Sequence, residues 1–81
     1  MHEVKLVKEL AEKALDIVKK NNVKKVKKIF VKIGAGSHLT PESFSRLFKE
    51  FSKATILETA EIVTSNVVEQ GLILESLEVE T

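Results

Sequence analysis

The chain has 81 residues, no cysteine, 31% charged residues and a formal net charge of +1. A chain of this length makes one small domain with a thin core, and its ordinary apolar content argues against disorder. The absence of cysteine excludes disulfides, thiolate metal sites and thiol nucleophiles.

The start M-H-E-V-K-L has no signal-peptide apolar run, and no stretch approaches the roughly 20 apolar residues of a membrane helix. A cytoplasmic protein without a membrane partner is the expectation. Charge is unevenly placed: all 13 basic residues lie in 1–53 beside 6 acids, whereas 54–81 hold 6 acids and no base. A basic half can mean a nucleic-acid surface, but with an acidic half of nearly equal size in the same chain the preferred reading is that the two compensate each other on folding.

Residues 4–20 read as an amphipathic helix, since Val4, Val7, Leu10, Ala11, Ala14, Leu15 and Val18 recur at spacings of three and four. Asn21-Asn22 ends it, because Asn tolerates the left-handed conformation just past a helix. Residues 26–33 read as a strand with Ile29, Val31 and Ile33 on one face and Lys28, Phe30 and Lys32 on the other. Gly34-Ala35-Gly36-Ser37 breaks that pattern. A second helix starts at Thr40-Pro41-Glu42: Thr40 caps, Pro41 needs no N–H there, and Glu42 suits the dipole. Phe44, Leu47, Phe48 and Phe51 form its core stripe.

From residue 54 onward the chain is expected to be extended, with a strand over 60–64, a hairpin loop over 65–71 and a strand over 72–80. Alternation slips in the last of these, because Leu72 and Leu74 share one parity and Leu77 and Val79 the other. A one-residue bulge near Glu75-Ser76 returns both pairs to one face. The fold class is therefore α+β, in the order α-β-α-β-β, with both helices on one face of a small sheet.

Catalysis has little support. The chain has no Tyr, and none of its serines stands in a Gly-x-Ser-x-Gly elbow. Gly34-Ala35-Gly36 follows a strand but lacks the third glycine of a dinucleotide fingerprint, Leu39 standing in its place, so it reads as a turn. The lysine run from Lys19 to Lys32 contains no arginine and only Phe30 as an aromatic, a poor supply for base readout or stacking. No nucleic-acid partner is expected, and the lysines read as a solvated edge.

The first three residues carry a different chemistry. The Met1 amine and the His2 amide nitrogen close a five-membered chelate ring, and the amide and imidazole of His2 close a six-membered one. Nitrogen donors in one plane suit Ni(II) or Cu(II), with the Glu3 amide or carboxylate as a further ligand. A helix beginning just after Met1 leaves the early N–H groups without intrahelical partners, so losing one proton to a metal breaks no helical bond. The same residues also read as a frayed helix start with Glu3 at the favourable end of the dipole. His38, in the loop after the first strand, reads as an exposed histidine or as an extra ligand.

M-H-E opening an amphipathic helix, then V-K-K-I-F-V-K-I-G, L-T-P-E-S-F-S-R-L-F, A-T-I-L-E-T-A-E-I and L-E-S-L-E-V-E, in that order over nearly the whole chain, resemble the HypA family. The resemblance implies a mixed three-stranded sheet with both helices on one face. It implies a metallochaperone without enzyme activity that hands nickel to hydrogenase precursors, or to urease, and works with the GTPase HypB as a monomer or homodimer. The family's nickel site matches Met1, His2 and Glu3. Two departures stand out. The family's zinc domain, with its two C-x-x-C pairs, has only residues 65–71 in its place, so 1–81 is expected to be a single nickel-binding domain needing Ni(II) and no zinc. Ala35 and Thr40 stand where many relatives carry Glu and Asp. The alternative function is a metal-free interaction module derived from that family.

The charge asymmetry also predicts the order of strands. Antiparallel pairing sets Lys24 to Lys28 beside Glu75, Glu78 and Glu80, where opposite charges across strands contribute roughly 0.2–1 kcal/mol per pair. Combined with a hairpin at 65–71, this places the last strand in the middle of the sheet, with the second helix as a right-handed crossover.

Overall fold

In a computed structural model, which describes residues 2–81, the elements run α1 (His2–Lys20), β1 (Lys25–Gly34), α2 (Pro41–Ser52), β2 (Glu61–Val67) and β3 (Leu72–Glu80). The sheet order is β2-β1-β3. β1 runs parallel to β2, from Lys28 opposite Glu61 to Gly34 opposite Val67. It runs antiparallel to β3, from Lys25 opposite Glu80 to Ile33 opposite Leu72. α1 packs on α2 and β3, and α2 on β2.

The expected antiparallel pairing of the first and last strands is present, but the expected central position of the last strand is overturned, because β1 is central. The reason lies in burial. Val26, Ile29, Val31 and Ile33 of β1 are at most 3% exposed, whereas Leu72, Leu74, Leu77 and Val79 of β3 are half-buried. The strand with the driest inner face takes the position covered on both sides. The short connection does not force β2 and β3 together either. It passes around the end of β1, where the Gly34 N–H donates to the Gly71 carbonyl at 2.8 Å and the Ala35 N–H to the carbonyls of Val67 (2.9 Å) and Glu69 (3.0 Å). β2 also runs on through residues 65–67, which had been assigned to the loop.

Charges are laid out across this sheet. Lys28 faces Glu61 on one side and Glu78 on the other, Lys25 faces Glu80, and the Lys32 ammonium lies 3.9 Å from the Glu75 carboxylate. The basic and acidic parts of the chain thus compensate each other within one sheet.

The expected bulge is present. Phe30 pairs with Ser76 and Val31 with Leu74, which leaves Glu75 extra in β3 and keeps Leu72, Leu74, Leu77 and Val79 on the helix side. A second shift leaves Lys27 extra in β1 and carries Val26 to the same face as Ile29.

Thr40 caps α2 as expected. The Ser43 N–H donates to Thr40 Oγ1 at 3.1 Å, and the Thr40 N–H donates to Ser43 Oγ at 2.9 Å. Phe44 and Phe48, with ring centroids 5.6 Å apart, belong to one buried core with Val7, Ala11 and Ile29. The segment after α2 is not extended. Ala54 takes a left-handed φ of 63°, and Thr55 Oγ1 donates to the Ser52 carbonyl at 2.6 Å while accepting from the Leu57 N–H at 3.1 Å. These turns bury Leu57 and Ala60 before β2 begins.

Candidate functional site

α1 begins at His2, so the amides of its first turn have no helical acceptor behind them. The positive end of the helix dipole coincides with the expected ligand set. Of that set, Met1 lies outside the described residues, and the side chain of His2 is likewise undescribed. Glu3 is half-buried and lines an open cleft of about 240 Å³ beside α1.

The opposite walls of the cleft come from two backbone turns. Ala35, Gly36 and Ser37 follow β1; Gln70, Gly71 and Leu72 lead into β3. Gly36 and Gly71 both hold positive φ, 85° and 89°, which glycine adopts without the clash a Cβ would bring. Ser37 Oγ accepts from the Leu39 N–H at 3.1 Å, which fixes the start of the turn toward α2. Gly34 is constrained for another reason. A Cβ there would meet Gly71 O at 2.6 Å and Gly71 N at 2.7 Å, and would also strike the Glu69 carbonyl. The sequence thus folds this corner so that the first turn of α1, the end of β1 and the 68–71 connection line one cleft.

Ser37 and Gln70 are the polar side chains that sequence reasoning did not place here. The signal available was the pair of turn glycines, Gly36 and Gly71, which lie far apart in the chain. His38 is exposed and is not among the residues lining this cleft. Among the described residues no group of three His, Asp or Glu side chains converges in metal-binding geometry. Elsewhere, the Lys53 ammonium donates to Glu50 at 2.9 Å, and this contact raises its pKa. No helix among the described residues is long and apolar enough to cross a membrane.

Residues 1–72 match the family model described as hydrogenase/urease nickel incorporation, metallochaperone, hypA. The chain is 35% identical over 63 residues to the hydrogenase maturation factor HypA of Aquifex aeolicus (strain VF5), covering 78% of this chain and 55% of that protein. It is 30% identical over 67 residues to the factor of the same name from Methanocella arvoryzae, covering 83% and 59%. The chain therefore spans just over half the length of the curated relatives it matches. Its fold is that of the nickel metallochaperone HypA from Helicobacter pylori in solution, with a TM-score of 0.77 at 17% identity over 95% of this chain and 96% of that one. A second solution structure of a HypA protein gives 0.68 at 16% identity over 100% and 93%.

Proposed function

The chain belongs to the HypA family of metallochaperones for nickel incorporation into hydrogenase and urease, and on that premise we propose that it binds Ni(II) through Met1, His2 and Glu3 and delivers the ion during hydrogenase or urease maturation. The observation that carries this reading is the start of α1 at His2, which leaves the first amides free of helical bonds beside a cleft lined by Glu3.

The roles follow from the donor chemistry. In the untagged protein the Met1 amine and the His2 amide and imidazole supply three nitrogens in one plane, and Glu3 adds its amide or carboxylate. Protons must leave the imidazole and the amide, so affinity falls as pH falls. Nickel is cargo here, and no residue is assigned a catalytic role. Residues 1–81 act in this reading as a single nickel-binding domain, with the 68–71 connection in place of a zinc domain and no zinc required. The partners are a HypB-like GTPase and the maturation machinery in the cytoplasm, met by a monomer or homodimer.

Calorimetric nickel titration tests the reading on three proteins: the untagged chain, His2→Ala, and the chain with one added N-terminal residue. The untagged chain is expected to bind one Ni(II) as a yellow, diamagnetic complex, and both variants to lose stoichiometric binding with unchanged circular dichroism. Full one-to-one affinity in His2→Ala would remove His2 from the site. Full affinity in the extended chain would remove the amine.

A further inference from the structure

β3 is an edge strand, and no strand among the described residues covers its outer side. α1 runs beside it with a largely apolar flank at the margin of its core face, which shares the buried Leu10 with the core. Leu6, Leu10, Lys13 and Ile17, spaced four, three and four apart, lie on this side. Leu6 is 41% exposed and Ile17 36%, whereas the core-facing Val7, Ala11 and Ala14 are at most 2% exposed.

Two grooves open between this flank and β3. One, of about 280 Å³, is floored by Leu10, Leu72 and Leu74. The other, of about 400 Å³, is floored by Val23, Leu77 and Val79. They sit on either side of the bulge at Glu75, toward the two ends of the nine-residue strand. On the opposite face of the sheet, Glu78 and Glu80 are exposed. Lys28 and Lys25 flank them from β1, and no base follows Lys53 in the chain.

We propose that the outer edge of β3 docks an extended segment of a partner protein in which lysine or arginine alternates with apolar residues, added as a fourth strand antiparallel or parallel to β3. Both faces of such a strand are matched. Its apolar side chains enter the two grooves under α1, and its cations lie beside Glu78 and Glu80, repeating on the outside what β1 does on the inside. Main-chain bonds supply affinity in strand addition, and the pockets for alternate side chains supply specificity. Charge also rejects a second copy of this chain as the occupant: pairing β3 with β3 would bring two acidic strands together without a base, and like charges across strands are destabilising.

The probe is a blocked peptide of nine residues, the length of β3, alternating lysine with valine. Its binding is followed by fluorescence anisotropy and by hydrogen exchange on the intact chain. Binding is expected to weaken with salt, because exposed charge pairs are screened, and to slow exchange in 72–80 but not in 61–67. Ile17→Asp is expected to weaken it roughly tenfold, the scale of one lost apolar anchor. The double reversal Glu78→Lys with Glu80→Lys should lose the lysine peptide and gain a glutamate–valine one. Absence of binding, protection confined to β2, indifference to both sets of substitutions, or concentration-dependent dimerisation through 72–80 would each overturn the proposal. Because hydrogen exchange is read on the unmutated chain, a variant that misfolds does not remove the test.

Discussion

Replacing Gly34 by alanine should unfold the corner on which the candidate site rests. The added Cβ has no room: Gly71 O and N stand 2.6 and 2.7 Å away, and the Glu69 carbonyl also blocks it. All three are main-chain atoms, and they are held in place by the bonds from the Gly34 and Ala35 amides. Relief therefore requires the 68–71 connection to move and those bonds to lengthen or break. Overpacking of this kind costs about 1–3 kcal/mol, and each lost hydrogen bond about 0.5–1.5, giving roughly 2–4 kcal/mol in all. At about 4–8 °C per kcal/mol for a domain of this size, the expected fall in Tm is about 8–32 °C by circular dichroism. Gly36→Ala is the comparison, since a Cβ there meets nothing within 4 Å and only the φ of 85° opposes it. Its cost is about 1–2 kcal/mol. A Gly34→Ala protein melting within about 3 °C of the parent, or above Gly36→Ala, would refute the close-approach argument.

Two further substitutions probe the frame around the site. Thr40→Ala removes both the cap on Ser43 N–H and the hydroxyl that meets Ser43 Oγ, and should cost about 1 kcal/mol in urea unfolding with an unchanged slope. Leu57→Ala hollows a side chain only 2% exposed under the turns after α2, and should cost about 2–5 kcal/mol. A cost below about 1 kcal/mol would mean that the segment before β2 is not anchored by this residue.

The elements that were legible in the sequence are those set by local chemistry. Thr40-Pro41 marked the start of α2 because a hydroxyl and a missing N–H have few other uses there. The parity slip between Leu74 and Leu77 located the bulge at Glu75, since only an extra residue returns both pairs to one face. Strand order was not legible by the same means. The lysines of β1 and the glutamates of β3 face each other whether β1 or β3 is central, so charge decided the pairing and left the order open. The deciding quantity was the depth of burial of Val26, Ile29, Val31 and Ile33, which depends on what covers them from the far side. The turns at 53–60 were hidden because the Thr55 hydroxyl competes with an extended backbone, which alternation alone does not register. At the candidate site, Met1, His2 and Glu3 form a local donor motif in the sequence, and of these the described residues place Glu3 on the cleft. The contribution of Gln70 and Ser37 to the facing wall was not legible, because it depends on the 68–71 connection crossing the end of β1.

That crossing fixes a span. β2 and β3 each lie one strand spacing from β1, so the ends they offer at Val67 and Leu72 are about 10 Å apart. The four intervening residues, with their links to both strands, reach at most ~17 Å when extended. The bridge therefore has slack enough to dip toward Gly34 and Ala35 and little beyond that. The strands register only the distance between the two ends, whatever hangs from them. Any module whose own termini stand roughly 10 Å apart can replace residues 68–71 and leave the three-stranded sheet, and the helix start above it, where they are.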